Sequence, residues 1–161
     1  MMILSTLVVM GAVAASAQLP GTHPFVALIN HTLPNNIRGW EKLLELELGE
    51  VATRTSHLVK EANGTLEKTV LATTGVKVEW WTQLARPYRG FPAAYTFTGT
   101  DTFMALGIQP SLYADVVQPE YLIKPGVYSV GADCYDIGCT QITLTFDGDQ
   151  LQTIRWVYPI D

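Results

Sequence analysis

Basic side chains are scarce in this sequence. Ten Lys and Arg stand against fifteen Asp and Glu in 161 residues, for a formal charge of −5, and they form no run. A nucleic-acid binder needs a basic face for the phosphates and an anionic membrane surface attracts basic clusters, so the composition argues against both partners. Histidine is scarcer still: His23, His31 and His57 are isolated, without an H-E-x-x-H pair. A zinc set would need them joined by distant ligands, which the sequence does not indicate. G-x-S-x-G, Walker and G-x-G-x-x-G motifs are all missing. Ser56 and His57 are adjacent on a β-rich run, so their side chains point apart and form no nucleophile–base pair with each other. No cofactor is expected, and an enzyme is not the first reading.

Charge is also absent from residues 1–17, MMILSTLVVMGAVAASA, where an apolar run over 3–13 precedes Ala15 and Ala17 in an A-x-A arrangement. That is the pattern of a signal peptide cleaved after Ala17, although no Lys or Arg precedes the run. A membrane span needs roughly 20 apolar residues, and Gln18, Pro20 and Gly21 arrive too early for one. Residue 18 is not Cys, so a lipid anchor is not expected, and the cleaved product should not insert stably in a membrane. The expectation is a periplasmic or secreted protein. Residues 18–161 suffice for one ordinary domain.

Cysteine occurs twice, in DCYDIGC. In an oxidising compartment, Cys134 and Cys139 read as a disulfide across a tight loop before the strand TQITLTF, with a redox site as the lesser alternative. Acidic groups at Asp133, Asp136, Asp147 and Asp149 read as turn residues, since the D-x-D-x-D-G calcium pattern is missing. Asn30-His31-Thr32 and Asn63-Gly64-Thr65 match the glycosylation sequon, which is common by chance.

Along the chain, residues 18–36 carry Pro20, Gly21, Pro24 and Pro34 and read as an irregular segment. In IRGWEKLLELELG, Ile37, Trp40, Leu43, Leu44 and Leu48 form one helical stripe, stopped by Gly49. VATRTSHLV, LEKTVLAT and VKVEWWTQL then read as three antiparallel strands turned at Asn63-Gly64 and Gly75, followed by AAYTFTG as a fourth. TFMALGIQPSLYADVVQ reads as a second helical region, started afresh at Pro110 and stopped by Pro119. EYLIKPGVYSVG, TQITLTF and LQTIRWVY give further strands, the last two joined at Asp147-Gly148. The expected fold class is α+β, with two successive helix-then-antiparallel-strand units, about 37–99 and 100–161, forming one sheet with helices packed on one face.

Two stretches carry a family resemblance: WEKLLELELGEVATRT…TVLATTGVKVEWW and MALGIQPSLYADVVQPEYLIKPG…TQITLTFDGDQLQTIRWVY. They resemble small exported bacterial proteins of the beta-lactamase inhibitor protein and BamE (SmpA/OmlA) type, in which a helix ending in an LG-like turn precedes a strand meander. The proline usual after LG is missing here, where Glu50 and Val51 stand. The resemblance implies a binding role toward another exported or envelope protein.

The remaining question is the density of large side chains in EWWTQLARPYRGFPAAYTF. A strand sends Trp80 and Trp81 to opposite faces; Trp80 falls with Val76 and Val78, Trp81 with Lys77 and Glu79. Trp, Tyr and Arg dominate interaction hot spots because they bury much area while keeping a polar tip. Trp81, Arg86, Tyr88, Arg89 and Phe91 are therefore the candidate binding residues, with packing of a loop over the sheet edge as the plainer alternative. The leading functional expectation is an exported non-enzymatic binding protein, inhibitor-like or envelope-assembly-like. The alternatives are a small enzyme or ligand carrier with a pocket between helices and sheet, and a purely structural envelope protein.

Overall fold

A computed structural model describes residues 33–85, 87–136 and 138–159. The expected leader, residues 18–32 with His23, His31 and the sequon at Asn30, the candidate Arg86 and the side chain of Asp133 lie outside the described residues.

Asn36 caps helix α1, Ile37–Leu43, by accepting the Gly39 N–H at 2.8 Å. The helix then widens into a π-helical turn, Leu44–Leu48, and ends at Gly49, whose φ of 66° suits a residue without Cβ. Trp40 and Leu44 of the expected stripe are buried, and Ile37, Leu43 and Leu48 pack against them. Strands β1 (Thr53–Glu61), β2 (Gly64–Ala72), β3 (Val76–Gln83) and β4 (Arg89–Thr98) follow as a meander. After helix α2 (Thr100–Ala105) and two 3-10 turns, Pro110–Val116 and Pro119–Tyr121, the chain forms β5 (Leu122–Lys124), β6 (Val127–Tyr135), β7 (Gly138–Asp147) and β8 (Gln150–Val157).

All eight strands belong to one antiparallel sheet of order β1-β2-β3-β4-β8-β7-β6-β5. This corrects the expected fold class: the protein is sheet-dominated, not an α+β arrangement of helix-then-strand units. The physical reason lies in the helical segments. The first loses α-geometry after seven residues, and the second is cut by Gly107, at φ 69°, and by Pro110 and Pro119 into pieces too short to form a layer.

The two meanders meet where Tyr95 opposes Trp156 and Phe97 opposes Ile154 on β4 and β8. These four side chains share a face with Val78, Trp80, Ile142 and Leu144, and they join Trp40, Leu44, Phe103, Tyr113 and Val116 in the core. Trp40 packs on Tyr95, with ring centres 4.8 Å apart, and Tyr158 meets Tyr95 edge-on at 5.8 Å. Pro92 is tolerated in β4 because the β3–β4 register shifts between Glu79 and Trp80, and β8 pairs only from Ala94 onward.

Burial pushes the Tyr95 hydroxyl up to about 12, with the Trp40 indole working in the opposite direction, and it raises Tyr113 as well. The unfolded chain ionises tyrosine near 10, so the native state holds protons that the unfolded state has lost. Stability contributed by Tyr95 is thus fully present below pH 10 and is lost as pH rises toward 12, at about 1.4 kcal/mol per pH unit. Urea melts from pH 8 to pH 11.5 are expected to show this decline, and a Tyr95→Phe variant is expected to make it shallower, with the share of Tyr113 remaining.

Cys134 and Cys139 are joined by a disulfide. The pair bridges the ends of β6 and β7 instead of closing a loop ahead of the strand, because both strands extend one residue past a cysteine. The closed ring is short, so its loss costs about 2 kcal/mol or less in chain entropy. A Cys134→Ser/Cys139→Ser variant is expected to stay folded, with faster amide exchange confined to the β6–β7 hairpin. Global unfolding of that variant at room temperature would contradict the assignment.

Candidate functional site

Alternation along β3 separates the two tryptophans as the sequence implies. Trp80 is 5 % exposed and points into the core, whereas Trp81 is half-buried on the opposite, open face of the sheet. The pairing brings Trp81 opposite Lys68 on β2 and Phe91 on β4. Lys68 Nζ sits over the Trp81 ring, 3.8 Å from its centroid, and Phe91 lies at 6.2 Å in a tilted contact. Lys68 also reaches Glu61 at 3.6 Å. One aromatic pair, a cation over it and a carboxylate beside that cation thus form a fixed cluster on a pleated surface.

Of the expected binding residues, Trp81, Phe91 and Arg89 share this face, since Arg89 opposes Gln83 two pairs further along. Tyr88 is 65 % exposed in the connection ahead of β4. Arg86 lies outside the described residues. Lys68 was missed by the sequence reading, yet a signal existed: a turn over 73–75 sets Ala72 opposite Lys77 and hence Lys68 opposite Trp81.

The same face continues across the seam, where Arg155 of β8 lies between Thr96 and Thr143. Arg89 and Arg155 form no ion pair among the described residues, while Lys77 is tied to Glu79. The face therefore presents Lys68, Lys77, Arg89 and Arg155 against Glu61, Glu79 and Asp147, in a chain whose overall charge is −5.

A second concavity, of about 410 Å³, lies between the Pro110–Val116 turn and the β7–β8 hairpin, lined by Tyr113, Val117, Phe146, Leu151 and Asp149. Among the described residues its one acidic lining residue is Asp149, exposed in the hairpin turn, and none of them supplies the buried carboxylate that acid–base chemistry would use. Among the described residues no group of three or more His, Cys, Asp or Glu is placed to hold a metal ion, and no helix is long and apolar enough to cross a membrane. No family profile, curated protein or solved structure matches the chain.

Proposed function

We propose that this chain is an exported, non-enzymatic binding protein that captures another exported or envelope protein on the open face of its sheet. The observation that carries the reading is the Trp81–Lys68–Phe91 cluster on a face that no other described element covers. An aromatic anchor already flanked by a cation and a second ring loses little side-chain freedom on binding, which is the property that makes Trp and Arg strong contacts. The basic surplus on this face favours an acidic patch on the partner. Export rests on residues 1–17, and the disulfide fits the oxidising compartment to which they would lead, periplasmic or extracellular. The resemblance to the beta-lactamase inhibitor protein and BamE type points the same way. The carrier alternative finds less support, since among the described residues none lines the groove beside Tyr113 with a buried charge.

Two measurements test the proposal. Intact mass of material recovered from the envelope or medium is expected to show a chain beginning at Gln18; the full chain held in an inner-membrane fraction would refute export. Immobilised protein is then used to capture and identify a partner from the same fractions. Trp81→Ala is expected to weaken that purified complex by about 2 kcal/mol, roughly 30-fold, with a smaller loss for Arg89→Ala and a further loss at high salt. Unchanged affinity in both variants would remove the open face from the interaction.

A further inference from the structure

The two edges of the sheet are built differently. β5 is three residues long, its pairing with β6 is interrupted by a register shift, and Pro119 and Pro125 flank it. Such an edge is blunted against pairing with another strand. β1 has none of these three devices and keeps, as its one protection, the charged side chains Arg54, Lys60 and Glu61 along its length. It runs for nine residues, pairs with β2 without a shift, contains neither Pro nor Gly, and is exposed at every position except Val59. Leu58, in its middle, is 66 % exposed.

The phase of this edge follows from one hydrogen bond. The Thr65 carbonyl accepts from the Leu84 N–H at 3.1 Å, so Thr65 turns its backbone groups toward β3. Backbone direction alternates along a strand, hence Gly64, Leu66, Lys68 and Val70 face β1, and their partners Glu61, Val59, His57 and Thr55 face back. Arg54, Ser56, Leu58 and Lys60 are left with N–H and C=O groups aimed outward. Among the described residues nothing pairs with them.

We infer that this edge joins a second copy of the chain, the two β1 strands pairing antiparallel about a two-fold axis at Leu58. A two-fold that keeps each face continuous can pass through Ser56, His57 or Leu58. Centring on His57 sets Arg54 opposite Lys60 twice, which like-charge repulsion disfavours. Centring on Ser56 sets Leu58 against Arg54, which is already tied to Glu41 of α1 at 3.2 Å. Centring on Leu58 covers each exposed leucine with its copy, opposes Ser56 with Lys60, His57 with Val59 and Thr55 with Glu61, and places no like charges together. About six backbone hydrogen bonds form, and the two sheets become one. A contact of one strand pair is small, so the association is expected in the micromolar range. It uses the sheet edge and leaves the open face free, so it does not depend on the function proposed above.

The test is sedimentation of the purified disulfide-bonded protein from about 5 to about 500 µM, together with single-cysteine cross-linking. A monomer–dimer equilibrium is expected, and Leu58→Lys, which opposes two like charges on the axis, is expected to shift it at least tenfold toward monomer with an unchanged circular-dichroism spectrum. Directly opposed Cα atoms in a hydrogen-bonded pair are about 5.5 Å apart, within disulfide reach. Under mild oxidation Leu58→Cys should therefore link to its copy, whereas Ser56→Cys and His57→Cys should not. A monomer at every concentration overturns the proposal. So does cross-linking of Ser56→Cys or His57→Cys as fast as Leu58→Cys.

Discussion

Trp80→Ala is expected to cost about 3–5 kcal/mol of folding stability, the range for truncating a fully buried large aromatic, whereas its neighbour Trp81→Ala is expected to cost less than about 1 kcal/mol. Trp80 is 5 % exposed, and its indole edge lies so close to β4 that a Cβ on Gly90 would fall 2.6 Å from Nε1. Thr69 opposes it on β2 and is itself buried, so no flexible side chain stands ready to fill the space left behind. Trp81 rests on the open face against Lys68 and Phe91, both of which can re-solvate when the ring is removed. Urea melts of the two single variants measure the difference directly. Equal losses would mean that the sheet is covered on both sides at this point and that the open face is not open.

That contrast was legible before any coordinates, because strand alternation is a local rule and VKVEWW contains it whole. Most strands were legible for the same reason, although EYLIKPGVYSVG, read as one strand, divides at Pro125-Gly126 into β5 and β6, and the two-residue turn between β1 and β2 is Ala62-Asn63, with Gly64 closing it at φ 134°. What the sequence did not disclose are consequences of non-local pairing. The seam between β4 and β8 joins residues about sixty positions apart, and nothing in AAYTFTG or LQTIRWVY specifies the other as its neighbour. That seam decides that Arg155 shares a face with Trp81. The fold class failed for a different reason. A helical stripe over 37–49 is real as a hydrophobic pattern, but the pattern does not distinguish an α-helix from seven α-helical residues and a π-turn, and it counted Leu48 as equal to Trp40.

The open face gains its meaning from what covers the other one. Helix α1, the Leu44–Leu48 turn, α2 and the Pro110–Val116 turn supply Trp40, Leu44, Phe103, Tyr113 and Val116 to a single core, which satisfies the apolar face of the sheet. The opposite face therefore remains half-polar, rich in Thr and carrying its cations, as a solvated antiparallel sheet does. Within it Trp81 and Phe91 are the aromatic pair in contact, and that is why the binding proposal rests on them and not on Tyr88, which projects from the neighbouring connection.

Gly75→Ala is expected to destabilise the protein by about 1–3 kcal/mol, an overpacking cost at a position where the backbone of one element meets the side chain of another. Gly75 lies in the turn between β2 and β3, and its carbonyl accepts from the Thr98 N–H at 2.7 Å. A Cβ built there would fall 1.8 Å from Thr102 Oγ1, 3.0 Å from the Thr98 carbonyl oxygen and 3.1 Å from Thr102 Cβ. Thr102 is buried at the start of α2, so it has little room to swing away, and the added methyl must push the turn and helix apart. The loss should fall on the contact that locks α2 over the sheet, not on the glycine's backbone freedom. A double-mutant cycle separates the two causes. Thr102→Ala in the Gly75→Ala background should recover part of the stability, because it removes the closest atom, Oγ1, and leaves only the 3.1 Å approach to Thr102 Cβ and the 3.0 Å approach to the Thr98 carbonyl oxygen. If Thr102→Ala recovers nothing, steric contact with α2 is not what fixes glycine at this turn.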